Sequence, residues 1–180
     1  MKVDRRILKT QEALKKALTE LMAEKSFDHI TIQDLSDKAN VSRGTIYLHY
    51  VDKYDLLDKL IAAHINELRR LCIESAHLSF TEAEIVWFEY FEANYLFFST
   101  MLVSKGAPYF RTQFLEFMID ELREEVDMNE ARNRGLNEEV VVRYAASAVV
   151  GIMEWWFLND KPLPPVEMAE QIGMLLDRKL

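Results

Sequence analysis

Thr31-Ile32-Gln33-Asp34-Leu35-Ser36-Asp37-Lys38-Ala39-Asn40-Val41-Ser42-Arg43-Gly44-Thr45-Ile46-Tyr47-Leu48-His49-Tyr50 reads as two short helices and the turn between them. Thr31 is a good N-cap, and Asp34 stands at the capping-box position as a shorter substitute for Glu. The first helix, Ile32–Ala39, offers Ile32, Leu35 and Ala39 to a core. Asn40 tolerates the left-handed backbone that a sharp helix stop requires. Ser42 caps the second helix, which runs to about Tyr50. A helix-turn-helix needs a buried plug in its turn and apolar anchors on both helices. Val41 is the plug; Leu35, Ala39 and Ile46 are the anchors. Ser42, Arg43, Gly44, Thr45 and His49 then face away from Ile46 and Tyr50. These small and polar groups suit a DNA major groove about 12 Å wide. Gly44 costs about 1 kcal/mol relative to alanine inside a helix, and close approach of the backbone to another surface is one reason to tolerate it.

Working outward, a helical stripe at Ile7, Leu14, Ala17, Leu18, Leu21 and Met22 spans Arg6–Lys25. Phe27 and Ile30 plug the connection after it. Asp52 caps a long helix with Leu56, Leu57, Leu60, Ile61, Ile65, Leu68 and Leu71 on one side. Beyond Ser79 the chain is aromatic-rich: Thr81–Met101, a break at Gly106 and Pro108, then Phe110–Val126. A polar link, Asp127–Asn137, leads to Val140–Leu158. The prolines of Lys161-Pro162-Leu163-Pro164-Pro165 stop that helix and start a last one, Val166–Lys179. No strand alternation or repeat interrupts the pattern. The expected fold is all-α with about nine helices. A three-helix head over residues 1–55 carries the motif at 31–50, and a long helix joins it to a helical bundle over 56–180.

The composition, 49% apolar and 29% charged with 5 Gly and 4 Pro in 180 residues, fills an interior and excludes a disordered or fibrous chain. One cysteine, Cys72, excludes an intrachain disulfide scaffold. The net charge of −8 is unevenly spread. Residues 1–55 hold 10 Lys and Arg against 9 Asp and Glu, a net of +1, and residues 56–180 hold 12 against 21, a net of −9. Such asymmetry points to a nucleic-acid-binding end. The charged opening Met1–Lys9 has no apolar segment after it, as expected of a cytoplasmic protein. Val140–Leu158 barely reaches membrane-spanning length and carries Arg143 and Glu154, so no membrane partner is expected.

The quoted stretch, followed by Lys53 and Leu56-Leu57 and preceded by Leu14, Ala17, Leu21 and Met22, resembles the signature of TetR/AcrR-type transcriptional regulators over about the first third of the chain. Ser26, Ser36 and Asn40 stand where that family usually has Gly, Ala and Gly, and Tyr50 where it has Phe. The resemblance implies that Arg43 and Thr45 read base edges, arginine on guanine being the commonest specific contact. It implies that Thr31, Ser42, Tyr47, His49 and Lys53 hold phosphates, with Gln33 and the terminal Arg5, Arg6 and Lys9 as additional contacts. It further implies a body that binds a small-molecule effector and pairs two copies into a homodimer on a palindromic double-stranded DNA operator.

Of 20 aromatics, 16 lie beyond residue 55. Trp87, Phe91, Tyr95 and Phe98 share one helical face, and Phe110, Phe114, Phe117 and Met118 another. Such stripes pack a core or line an apolar pocket, and both remain open here; Tyr95 and Tyr144 are the polar handles of the pocket reading. The small residues Ala145, Ala148 and Gly151 allow close helix approach. With Val149, Ile152, Trp156, Met168 and Ile172 they fit the two helices that build the family's dimer interface, although a protomer core gives a similar pattern. The segment from Gly151 to Ile172 also resembles the branch around dihydroxyacetone-kinase regulators.

Enzyme chemistry finds no constellation. Glu74-x-x-His77 is half of a di-metal motif with no second copy. The histidines at 29, 49, 64 and 77 lack zinc spacing, so neither metal nor cofactor is expected. No nucleophile elbow or phosphate loop occurs. The expected function is a sequence-specific DNA-binding regulator, a repressor released by a small apolar or aromatic effector. The alternative is a helical ligand sensor, or an activator, whose body is controlled by a protein partner.

Overall fold

The computed structural model describes residues 5–103, 108–130 and 133–177. Among them are nine α-helices and no strand. The head contains α1 (Arg5–Glu24), a single 3-10 turn (Phe27–His29), α2 (Ile32–Ala39) and α3 (Arg43–Tyr47); α4 (Lys53–Ser75) follows. The bundle adds α5 (Phe80–Ala93), α6 (Tyr95–Val103), α7 (Pro108–Glu125), α8 (Glu138–Leu158) and α9 (Pro165–Asp177). This is the all-α arrangement expected; Gly106 and Lys179 lie outside the described residues.

Local chemistry sets the helix ends. Ser79 caps α5 through a capping box with Glu82, Asp52 caps α4 by accepting from the Tyr54 and Asp55 amides, and Asn137 caps α8. The aromatic run after Ser79 is two helices. At Asn94 the backbone turns to φ −112°, ψ 30°, and Asn94 Nδ2 donates to the Tyr90 carbonyl at 2.9 Å. That side-chain bond competes with helix continuation, so Tyr95 and Phe98 sit on a different helix from Trp87 and Phe91.

Leu14 and Leu18 of α1, Leu35 of α2, Ile46 of α3, and Leu56 and Ile61 of α4 are fully buried together. The same core continues into the bundle, where α8 packs on α6 and α7, α5 packs on α9, and α1 reaches across to α6. Phe98 lies at its centre, with ring centroids 4.7 Å from Phe91, 5.0 Å from Phe97 and 5.4 Å from His64. By length and composition α8 could cross a membrane. Its Val142, Ala146, Val150, Met153, Trp156 and Phe157 are instead buried in the bundle. Its two central charges both reach neighbouring α7: Arg143 pairs with Glu116 at 3.7 Å, and Glu154 with Arg111 at 2.5 Å.

Phe98→Ala is therefore expected to cost about 3–5 kcal/mol, the usual range for a large aromatic in a core that cannot collapse around the cavity. Urea unfolding followed by circular dichroism measures it; a loss below about 1 kcal/mol would contradict this packing.

Candidate nucleic-acid interface

The turn that aims α3 is held by one left-handed residue and two hydrogen bonds. Asn40 adopts φ 53°, ψ 48°, the left-handed conformation expected of it. The Val41 amide donates to the Ser36 carbonyl at 3.1 Å, and Ser36 Oγ donates to the Val41 carbonyl at 2.6 Å. Ser36, an alanine position in the related signature, thus clamps the turn with its hydroxyl. Ion pairs fix α2 to the end of α1: Lys38 to Glu24 at 2.8 Å and to Glu20 at 3.4 Å, and Lys25 to Asp34 at 2.9 Å.

The cap of α2 is a closed capping box. Thr31 Oγ1 accepts from the Asp34 amide, and Asp34 Oδ2 accepts from both the Thr31 amide and its hydroxyl at 2.7 Å. These bonds and Lys25 hold the Asp34 carboxyl down to about 2, led by the Lys25 contact. Because the folded value lies below the ordinary one, this stabilisation is complete above about pH 4 and is lost as pH falls towards 2. At α3, Ser42 Oγ accepts from the Thr45 amide at 3.0 Å and shares a 2.8 Å bond with Thr45 Oγ1.

Beyond that cap α3 stands clear of the chain. Ser42, Arg43, Gly44, Tyr47 and Leu48 are exposed, Tyr47 by 58% and Leu48 by 81%. Thr45 and His49 are half-buried at its flanks, and Ile46 and Tyr50 anchor it beneath. The Arg43 guanidinium makes no hydrogen bond or ion pair to any described residue. A Cβ added at Gly44 would touch only Ser42 Oγ, at an ordinary 3.7 Å. The fold itself therefore gives no reason for glycine there.

Three expected phosphate or accessory contacts are engaged inside the protein. The Thr31 hydroxyl belongs to the capping box. Gln33 Nε2 donates to Asp37 Oδ1 at 2.8 Å. Lys53 Nζ donates to the carbonyls of Phe27, Ile30 and Asp28 at 2.9, 2.9 and 3.0 Å and lies 4.8 Å from the Phe27 ring centroid. An ammonium has three donors, so Lys53 is a strut that fastens the start of α4 to the 3-10 turn. Sequence spacing of 23 to 26 residues hides such a contact. Leu48 and Val51, the latter 79% exposed, are surface residues that the sequence reading missed. Leu48 lies two residues from each anchor, Ile46 and Tyr50, and that spacing could have revealed its outward position.

In the body the expected pocket residues Trp87, Phe91, Phe98, Phe114, Phe117 and Met118 are buried against one another. Trp87 stacks on Phe117 at 5.6 Å and Phe110 on Phe114 at 5.5 Å. Their stripes face the centre from several helices at once and fill it instead of lining an opening. Tyr95 is half-buried at the edge of this core, its ring 5.5 Å from Phe157, its hydroxyl 3.5 Å from Asp160 and the Lys161 ammonium over its ring. Tyr144 is 62% exposed.

The expected interface residues Ala145, Val149, Trp156, Met168 and Ile172 are likewise buried within the chain, while Gly151 is exposed and Ala148 and Ile152 are half-buried. The exposed face of α8 shares only Gly151 with that set. Val140, Tyr144, Ser147, Gly151, Trp155 and Leu158 follow one another at steps of four and three, one side of a helix.

An all-α chain with a clamped turn and an exposed second helix defines a helix-turn-helix protein. A family profile described as "Bacterial regulatory proteins, tetR family" matches residues 14–60, and one described as "Transcriptional regulator C-terminal region" matches residues 81–178. The chain belongs to the TetR family of transcriptional regulators. It is 27% identical over 183 residues to an uncharacterized HTH-type transcriptional regulator of Bacillus subtilis (strain 168), YxbF, covering 98% of this chain and 47% of that relative. The chain thus spans about half the length of that curated relative. A TetR transcriptional regulator from Streptococcus agalactiae 2603V superposes with a TM-score of 0.71 at 26% identity over 97% of each chain. The dihydroxyacetone kinase operon activator DhaS shares the fold, with a TM-score of 0.69 at 21% identity over 93% of each chain.

If Lys53 is a strut, Lys53→Met lowers the stability of the DNA-free protein by about 1–3 kcal/mol, since part-buried carbonyls lose a charged donor. Thermal unfolding checks this; an unchanged midpoint would return Lys53 to a phosphate-binding role.

Proposed function

We propose that this protein is a sequence-specific DNA-binding repressor whose α3 enters the major groove. The observation that carries this reading is the exposed face of α3, where Arg43 is unpaired among the described residues and Gly44 is not required by the fold. Arg43 and Thr45 read base edges, while Ser42, Tyr47 and His49 contact the backbone. Leu48 offers an apolar contact of the kind thymine methyl groups accept. Thr31, Gln33 and Lys53 build the platform beneath. Residues 1–55 form the DNA-binding unit and 56–180 the regulatory and pairing unit, in a cytoplasmic protein.

Reading a palindrome with this motif requires two-fold symmetry. The α8 row of Val140, Tyr144, Gly151, Trp155 and Leu158 offers an exposed face for such pairing. Two copies pair through it and present two α3 helices to one duplex. A small molecule bound by the regulatory unit releases the operator by favouring a different head spacing, with leverage set by its differential affinity for the two states.

Two outcomes follow. On a duplex selected from a random pool, Arg43→Ala loses about 1–3 kcal/mol of binding with relaxed choice at one position per half-site. Gly44→Ala raises unfolding stability by up to about 1 kcal/mol yet weakens the same duplex in band shifts; unchanged DNA affinity in both variants would refute the placement of α3. Separately, Trp155→Glu converts a dimer to a monomer in analytical ultracentrifugation with helicity retained, whereas a persisting dimer would exclude the α8 row.

A further inference from the structure

A cleft of about 530 Å³ opens between the head and the bundle, walled by α1, α4, α5 and α6. That size suits a small organic molecule. Leu60, Ala63, Leu96 and Phe97 give it an apolar lining. His64 lies in its wall with its ring stacked on Phe97 at 3.8 Å, and its Nδ1 shares a 2.7 Å hydrogen bond with the Tyr90 hydroxyl. Burial, and then the charge of Lys15, push the His64 imidazole down to about 4, against a smaller opposing effect of Glu67. At neutral pH the wall therefore carries an uncharged polar pair beside a positive field.

The rim charges sort unevenly. Glu20 is engaged by Lys38 at 3.4 Å and by Lys16 at 3.9 Å. Glu12 is exposed and does not figure among the charges that act on His64. Lys15 is half-buried, makes no ion pair among the described residues, and is the cation felt at the imidazole. A group that satisfies this corner is an anion small enough to enter, attached to a body that covers Leu60, Leu96 and Phe97.

We propose that this cleft binds a small organic monocarboxylate with an apolar or aromatic body, its carboxylate on Lys15 beside the His64–Tyr90 pair, and that it is the effector site. The carboxylate site stands by itself, whereas its regulatory consequence rests on the repressor reading. A molecule seated between α1 and α6 touches the first helix of the head and the bundle at once. It thus shifts the balance between head positions without entering the aromatic core.

The test uses the full chain with benzoate and octanoate as probes, and benzamide and octanamide as uncharged counterparts. Calorimetry is expected to show acids bound about tenfold more tightly than their amides, with Lys15→Gln removing that preference, about the contribution of one charge-assisted bond. Ala63→Phe, which fills the cleft from another helix, abolishes binding of both probes while circular dichroism stays native. Equal affinity for acid and amide, indifference to Lys15→Gln, or no binding overturns the site. On the selected duplex, benzoate or octanoate weakens binding by the wild type and not by Lys15→Gln, whose ligand-free DNA affinity is unchanged. Carboxylates that bind without altering DNA affinity overturn the effector role. Absence of any selected duplex sinks the repressor reading and leaves the calorimetric result standing.

Discussion

The hydrogen bond from Ser36 Oγ to the Val41 carbonyl, closed over the left-handed Asn40, determines where α3 points. A two-residue shift in that turn would bury Arg43 or expose Ile46, because neighbouring residues on a short helix point in widely different directions. Ile46 and Tyr50 below, and the Ser42 cap in front, hold a helix of five residues that would not persist alone in water. Lys53 extends the constraint by tying the start of α4 to the carbonyls of the 3-10 turn. Since α4 runs on into the bundle, the position of the recognition surface is linked to the packing of the body.

How much of this was legible in the sequence depends on the range of the interactions. The helix-turn-helix was readable because its determinants are local: Thr31 with Asp34, Asn40, Val41 and Ser42 all act within a few residues. Fold class followed from apolar spacing. The break at Asn94 was hidden inside a run of aromatics whose spacing happens to continue across it. Periodicity assigns a residue to a face but does not say what covers that face. Trp87, Phe91 and Phe114 therefore read as core or as pocket, with core the commoner outcome of such stripes, and the structure packs them as core. In α8 the small residues suggested an interface; of these Gly151 is exposed, beside Tyr144 and Trp155, while Ala145 and Trp156 are buried.

Charge gives the molecule an orientation. The net of −9 beyond residue 55 repels a phosphate backbone, and the near-neutral head is the end that approaches it. Ion pairs engage Lys16, Lys25 and Lys38 away from α3, and Arg43 is the one Lys or Arg within α3 itself. Leu48 at the end of α3 and Val51 just after it add exposed apolar surface beside Arg43. The cleft at the α1–α6 contact lies where the two halves of the molecule meet, and its polar wall contrasts with the dry aromatic interior behind it.

The most direct test of α3 as a groove-reading element is a hydroxyl-radical footprint of the full protein on its selected duplex. Insertion of two symmetry-related helices predicts two protected windows on one face of the DNA, centred about 10 base pairs or a multiple apart. A single isolated window, or uniform protection independent of sequence, would contradict it.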